Sequence, residues 1–227
     1  MLHRMVGDLM TSAVVSVRRD TGFKDIAQHL TEHGISAVPV VDGQGRPVGV
    51  VSEADLLRTQ ETQSDPGSHL TATHLLPAER AKAGAPAAEG LMTSPAVTAR
   101  PQWSIVEAAR AMAHHHVKRL PVVDDAGRLV GIVSRGDLLG VFLRRDPEIR
   151  AEITTDVLSR TLGLSPGAVT VQVADGRVTL SGTVPRGSLI PLAVRLSESV
   201  DGVVGVTNRL RAENDAPNDA PSGAPRR

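Results

Sequence analysis

A serine and an aspartate three residues further along occur twice in this chain, within GVVSEADLL and GIVSRGDLL. The pairs are Ser52 with Asp55 and Ser134 with Asp137, and each pair is displaced by 82 residues (134 − 52 and 137 − 55). A hydroxyl beside the free N–H groups of a helix start makes an anion site. A short carboxylate there could instead cap those N–H groups. The pairs therefore predict either two ligand cradles or two copies of a packing unit.

The elements that must position these pairs repeat with the same offset. The segments Met10–Ser12 and Pro39–Asp42 align with Met92–Ser94 and Pro121–Asp124 without a gap. Such self-similarity indicates a duplicated structural unit. We assign residues 7–60 to the first repeat, 61–88 to a linker with a short helix near 75–82, and 89–145 to the second repeat.

Each repeat predicts a β-α-β-β-α unit. In the first, apolar residues at Phe23, Ile26, Ala27 and Leu30 have helical spacing. Predicted strands cover 13–17, 37–41 and 48–52, with counterparts at 96–99, 120–123 and 130–134, and the closing helices begin near Asp55 and Asp137. One such unit is small for a stable core, whereas two packed together are not.

The rest of the chain has a different pattern. Residues 146–212 predict an α-β-β-α-β domain in which Asp175-Gly176 connects two alternating strands, a strong hairpin signal. Residues 213–227 are rich in Pro, Asn, Asp and Ala, which is typical of a disordered tail.

Composition excludes several classes of function. The formal net charge is zero, which gives no bulk attraction to nucleic acid, and no cysteine is present for thiolate chemistry or disulfides. The common hydrolase and nucleotide-loop motifs are missing, so we expect no enzyme. With neither a cleavable leader nor a long apolar run, the chain reads as soluble and cytoplasmic.

The repeat resembles a tandem CBS-domain pair (cystathionine-β-synthase type), and residues 146–212 resemble a BON domain. The first resemblance rests on GISAVPVVD at 34–42, VKRLPVVD at 117–124 and both G-h-h-S-x-x-D frames, where h is apolar. The second rests on DPEIRAEI, DGRVTLSGTV and VDGVVGVTNRL. Together they imply an α/β (α+β) fold: two pseudo-symmetric β-α-β-β-α repeats packed as a pair, plus a small α-β-β-α-β domain.

The resemblance also implies a ligand and partners. CBS pairs commonly bind an adenine nucleotide (AMP, ADP or ATP) in two clefts between the repeats, and Mg could be bound together with the nucleotide. They also commonly form homodimers. BON domains have a proposed role in binding phospholipid, and Arg186, Arg195, Arg209 and Arg211 could form a basic face for it.

The family pattern implies roles for individual residues. Asp55 and Asp137 would accept hydrogen bonds from ribose hydroxyls, Ser52 and Ser134 would contact phosphate, and apolar residues would flank adenine, namely Val15 and Val38 in one cleft and Val97 and Leu120 in the other. The predicted set is completed by Ser36, Ala37, Pro39, Lys118, Arg119, Pro121 and Arg135.

The copies differ in charge near the phosphate position. Ser36-Ala37 in the first corresponds to Lys118-Arg119 in the second, and Glu53 corresponds to Arg135. Phosphate attracts guanidinium and ammonium groups. If each cleft takes its contacts mainly from one copy, the second should favour the more anionic ligand, although clefts in such pairs draw on both copies.

A run of three histidines, His114–His116, could suggest a metal site. Consecutive helical residues point about 100° apart, so the three cannot converge on one ion. No other partners with ligand spacing were identified, and we predict no metal. Two further hypotheses stay open beside the nucleotide sensor: a dimeric scaffold without ligand whose BON-like domain binds a membrane or protein partner, and an unrecognised enzyme.

Overall fold

The structure, a computed structural model, describes residues 4–61, 82 and 84–213. These residues form two compact units, one from Arg4 to Leu138 and one that begins at Leu139. The predicted helix near 75–82, apart from Lys82, and the predicted tail, apart from Glu213, lie outside the described residues. None of the described helices is long and apolar enough to cross a bilayer.

In the first repeat, a parallel strand and an antiparallel hairpin form a three-stranded sheet in the order β1-β2-β3. Ile26 and Leu30 on α2 pack into its core, and the helix ends at Gly34, whose φ is 59°. The elements are α1 (Val6–Leu9), β1 (Val17–Arg18), α2 (Phe23–His33), β2 (Ala37–Val41), β3 (Pro47–Ser52) and α3 (Glu53–Glu61).

The second repeat has the same order, but its hairpin forms a two-stranded sheet. The predicted strand at 96–99 is reduced to a single parallel bridge between Ala99 and Val122. The predicted strand at 13–17 is likewise short, because only Val17 and Arg18 pair. The elements are α4 (Ala88–Leu91), α5 (Ile105–His114), β4 (Arg119–Val123), β5 (Leu129–Ser134) and α6 (Arg135–Leu139).

Each repeat begins with a segment that pairs with the other repeat, and we call these segments, residues 6–15 and 88–97, the leaders of the first and second repeat. Thr11 exchanges two backbone hydrogen bonds with Ile132 of β5, and Thr93 exchanges two with Val50 of β3. The leader of the second repeat also enters the core of the first, because Ala88, Leu91 and Met92 belong to that cluster. The two repeats are therefore joined by reciprocal exchange of their leaders.

The closing helices begin two residues earlier than predicted, at Glu53 and Arg135. Ser52 and Ser134 are then the residues that precede each helix, and Asp55 and Asp137 are the third helical residues. The position of the helix start matters because it decides whether the serine or the aspartate is the N-cap residue.

The second unit is built on a sheet in the order β6-β7-β8, with β7 and β8 parallel. The predicted Asp175-Gly176 turn is present, with both φ angles positive (50° and 70°). Asp146 accepts hydrogen bonds from the N–H groups of both turn residues, at 2.8 and 2.9 Å. The elements are α7 (Asp146–Glu152), a π-helix (Ile153–Thr161), β6 (Val169–Ala174), β7 (Arg177–Val184), α8 (Leu189–Glu198) and β8 (Gly205–Ala212).

This unit begins at Leu139. The change in sequence pattern predicted a domain start at residue 146, seven residues later. The segment between them contains a 3₁₀ turn (Gly140–Leu143) whose Val141 is buried. Arg144 then donates a hydrogen bond to the backbone oxygen of Asp201 and pairs with Glu152. These contacts tie the segment to the C-terminal unit.

Candidate functional site

Both Ser-x-x-Asp pairs form the first turn of a helix with nearly the same geometry. Asp55 Oδ2 accepts hydrogen bonds from the Ser52 backbone N–H at 2.9 Å and from its hydroxyl at 2.6 Å. Asp137 Oδ2 accepts the equivalent bonds from Ser134 at 2.7 and 2.8 Å. The expected aspartate cap is therefore corrected: serine occupies the cap position, and the aspartate reaches back to it, as in a capping box.

The larger cleft, which we call the first cleft, has a volume of about 530 Å³ and draws on both repeats. The first repeat supplies the Ser52–Asp55 turn, and the second supplies its leader and the junction between α5 and β4. Its lining includes Ser36, Ala37, Val50, Ser52, Glu53, Asp55, Arg58, Thr93, Val97, His115, His116, Lys118 and Arg119. Its volume lies within the usual range for small-molecule sites, roughly 300–1,000 Å³.

The second cleft has the reciprocal construction and a volume of about 260 Å³. The second repeat supplies Ser134 and Asp137, and the first supplies its leader and the junction between α2 and β2. Its lining is Thr11, Ala13, Val14, Val15, Gly34, Ile35, Ser36, Ala37, Arg119, Ile132, Ser134 and Asp137. Each cleft therefore needs the turn of one repeat and the leader of the other.

Most of the predicted residues line one of these clefts, and some do not. Ser52, Asp55, Val97 and Lys118 line the first, Val15, Ser134 and Asp137 line the second, and three residues line both (Ser36, Ala37 and Arg119). Among the described residues, five predicted site residues line neither cleft. Four of them are buried in their strands (Val38, Pro39, Leu120 and Pro121), and the fifth, Arg135, is exposed.

The distribution of charge corrects one expectation. The sequence suggested that cations of the second repeat would surround that repeat's own turn. Instead, Lys118 lies in the first cleft, opposite the Ser52–Asp55 turn, and Arg135 lines neither cleft. The reason is the reciprocal pairing of the leaders, which brings the α5–β4 junction to the turn of the other repeat.

Arg119 belongs to both clefts. Its guanidinium donates a hydrogen bond to the Ser36 hydroxyl at 2.7 Å. Burial lowers the pKa of Arg119 from its ordinary value, and the negative charges of Glu53 and Asp137 oppose that shift. The group nevertheless stays cationic, since arginine does not lose its proton in proteins. One half-buried cation thus interacts electrostatically with an acidic group of each turn, Glu53 of the first and Asp137 of the second.

Asp55 and Asp137 differ in exposure and in the partners of their second carboxylate oxygen, Oδ1. Asp55 is 6% exposed, and its Oδ1 lies 3.3 Å from Arg58 and 3.9 Å from Lys82. Asp137 is more exposed, and within the described residues its Oδ1 receives no hydrogen bond. The second cleft therefore presents a carboxylate oxygen that a ligand hydroxyl can use directly, whereas in the first cleft a ligand must compete with two cations.

Several first-cleft residues were not identified from the sequence. Arg58 follows Asp55 by three positions, a spacing that places both on one helix face, and it could have been found from that signal. His115 and His116 were not expected to line a cleft: both were considered as metal ligands, and His116 also as the residue that ends the helix. His116 has a φ of 53°, as expected for the residue that replaces Gly34 after the helix. Its place in the first cleft follows from the exchange of leaders.

Comparison with known proteins identifies relatives for both units. The CBS domain model matches residues 6–61 and 88–144, and the BON domain model matches residues 145–214. The uncharacterized protein MJ1426 of Methanocaldococcus jannaschii is 32% identical over 150 residues, covering 60% of this chain and 89% of the relative. The CBS domain-containing protein YhcV of Bacillus subtilis is 31% identical over 133 residues, covering 59% and 81%.

A solved structure extends the comparison to the fold. The crystal structure of CBSX2 of Arabidopsis thaliana in complex with AMP superposes with a TM-score of 0.53 at 31% identity. The match covers 62% of this chain and 99% of that one. The residues that line both clefts lie within the two segments that the CBS domain model matches.

Proposed function

Because the chain belongs to the CBS-domain family and carries a BON domain, we propose that it is a regulatory protein that senses an adenine nucleotide in the clefts of its first unit. The observation that carries the proposal is the construction of the first cleft. It joins a Ser-x-x-Asp turn, the apolar side chain of Val97 and the cations Lys118 and Arg119 around about 530 Å³. These are partners for ribose, base and phosphate respectively.

The chemistry of the lining fits the parts of such a ligand. The carboxylate of Asp55 can accept hydrogen bonds from the ribose hydroxyls if Arg58 gives way, and that of Asp137 can do so with its unused Oδ1. Phosphate oxygens suit Lys118 and Arg119, because charge-assisted hydrogen bonds are about twice as strong as neutral ones. The AMP complex of the relative CBSX2 supports this ligand class.

The sensing step requires two arrangements of the protein. A ligand shifts an equilibrium only as far as its affinity differs between the two states. We propose that occupancy of a cleft changes the junctions between α2 and β2 and between α5 and β4, and that the BON domain or a partner protein receives this change. A homodimer, a cytoplasmic location, Mg²⁺ carried by the nucleotide and the absence of catalysis complete the proposal.

The experiment is a calorimetric titration of the full chain with adenosine, AMP, ADP, ATP and GTP, with Mg²⁺ present and absent. The parent is compared with Asp55→Asn and Asp137→Asn, and with Asp20→Asn as a control, because Asp20 is an exposed turn residue outside both clefts. We expect saturable binding of an adenine nucleotide that weakens by roughly tenfold or more in one cleft variant, since a charged hydrogen bond contributes about 1.5–3 kcal/mol.

Failure to bind any of these ligands, in a protein shown to be folded by its melting transition, would overturn the proposal. The alternative hypothesis of a scaffold without ligand would then be preferred, with the BON domain as the binding part. Conversion of the bound nucleotide into product would contradict the proposed absence of catalysis. Light scattering on the same sample tests the proposed homodimer.

A further inference from the structure

We propose that the last turn of α2 binds a divalent transition-metal ion, with Zn²⁺ as the best fit, through His29, Glu32 and His33. The donor atoms of the three side chains all lie within 4.8 Å of one another. Residues three and four positions apart on a helix lie side by side. The His-x-x-Glu-His spacing therefore places two imidazoles and a carboxylate on one face. The prediction that no further residues have ligand spacing is thus wrong.

The two imidazoles already have an arrangement suited to a shared ion. Their ring centroids are 6.2 Å apart and the ring planes are inclined by only 18°. The Nδ1 atom of His29 is buried, and among the described residues it has no hydrogen-bond partner. An unpaired buried polar atom costs free energy, so hydrogen bonding through Nδ1 does not account for an imidazole at this position. Metal binding would give the ring a role.

The carboxylate is held by a neighbouring side chain. Gln28 Nε2 donates a hydrogen bond of 2.6 Å to Glu32 Oε1, which leaves Oε2 for a ligand bond. Groups that orient metal ligands in this way are a regular part of metal sites. The position within the helix adds to this, because His33 is the final residue of α2 and the C-terminal end of a helix favours positive charge.

The ligand set selects the class of metal. Two imidazoles and one carboxylate suit Zn²⁺ and the neighbouring first-row ions, whereas Mg²⁺ and Ca²⁺ prefer oxygen ligands. Zn²⁺ favours four ligands, so three protein ligands leave one position for water or an external group. Glu32 and His33 are exposed and His29 is half-buried, which allows the ion to exchange with solvent.

The site adjoins the second cleft through the chain. His33 is followed by Gly34, which has a left-handed conformation and closes α2, and then by Ile35, Ser36 and Ala37 of the cleft lining. A metal ion that fixes the last turn of α2 would fix this junction too. This coupling rests on the proposed nucleotide function, whereas metal binding does not.

The test is a calorimetric titration of the full chain with ZnCl₂ after removal of metals by a chelator, in the absence of nucleotide. We expect one site per chain that weakens by more than roughly tenfold in His33→Ala and by about tenfold in Gln28→Ala, since loss of an orienting partner typically costs 10–100-fold. The matched control is His114→Ala, the last residue of α5, which is also exposed. His33 is exposed, and the melting transition without metal verifies that each variant is folded.

Three outcomes would overturn the proposal: no saturable Zn²⁺ binding, equal affinity in the parent and His33→Ala, or equal weakening in His33→Ala and His114→Ala, which would indicate unspecific chelation by exposed histidines. A repeat with AMP present separates the two proposals. Zn²⁺ binding without any nucleotide binding would leave the metal site standing and remove only its coupling to the second cleft.

Discussion

The two clefts of the first unit have the same construction but different chemistry. Each joins the turn of one repeat to the leader of the other, and the hydrogen bonds within the two turns agree closely. Yet the first cleft is about twice as large and contains Lys118 and Arg58 as well as Arg119, whereas the second contains only Arg119 as a cation among its lining residues.

This difference shows which features the duplication needs in both copies. Backbone pairing and the capping turn recur in both repeats, because they hold the repeats together and begin the closing helices. The charged side chains that line the clefts are not needed for this pairing. They can therefore differ between the repeats and give each cleft its own ligand preference. We expect the first cleft to favour the more highly charged nucleotide and the second to accept a ligand with less phosphate.

The largest change in stability should come from a packing contact that both repeats share, in which a methionine of one leader lies against a glycine of the other repeat's strand. Gly49 faces the side chain of Met92, and Gly131 faces that of Met10, at distances that leave no room for a β-carbon. Gly49→Ala and Gly131→Ala should each lower the free energy of unfolding by about 1–3 kcal/mol through overpacking. Urea unfolding measures both. Gly43→Ala is the control, because nothing lies within 4 Å of its added carbon. Clearly unequal losses of unfolding free energy in the Gly49 and Gly131 variants would show that the two repeats do not depend equally on this contact.

A smaller effect should separate the clefts by charge. Lys118→Ser gives the second repeat the residue that the first has at Ser36, and it removes a cation from the first cleft. We expect the affinity for ATP to fall about tenfold while that for adenosine changes little, because only phosphate uses the ammonium group. Calorimetry with both ligands measures the ratio. Arg135→Ser is the control, since Arg135 lines neither cleft. Equal losses for adenosine and ATP would show that Lys118 acts on the fold.

The smallest effect concerns the hairpin turns, which we expect to behave alike. Backbone N–H groups of residues 46 and 44 lower the pKa of Asp42, and the backbone N–H of Arg128 is the main cause that lowers the pKa of Asp124. A lowered folded pKa stabilises the protein above the unfolded value of about 3.8, and this contribution is lost as pH falls through the folded pKa.

Asp42→Asn and Asp124→Asn should therefore each be slightly less stable than the parent at pH 7, with a gap that narrows below pH 4. Urea unfolding at both pH values measures it. A gap that is constant with pH would mean that the carboxylate charge is not the cause.

Much of the fold could be predicted because its signals are local. The 82-residue offset located both repeats, β2 was placed at 37–41 as observed, and Asp175-Gly176 gave the hairpin of the second unit. The helix start at Glu53 was missed because acidic residues suit the first turn at several positions. The change to a π-helix after Glu152 has no comparable sequence signal.

The site was harder to predict because its assembly is not local. The frame Ser-x-x-Asp identified both turns, but nothing in the sequence near Thr11 or Thr93 states which repeat each leader joins. Lys118 was therefore expected beside the turn of its own repeat but lines the first cleft, whereas Arg119 lines both clefts. Val38 and Leu120 were expected beside a ligand, although both are fully buried and belong to the core.

The exchange of leaders has a consequence for the chain between the repeats. Because Ala88, Leu91 and Met92 complete the core of the first repeat, and Thr11 pairs with β5 of the second, the two halves are joined by far more than their covalent connection. A protease cut between Glu61 and Lys82 should consequently leave a nicked protein whose fragments stay associated. The same property makes the first unit a candidate for fragment complementation, in which separately expressed halves restore both clefts only when they meet.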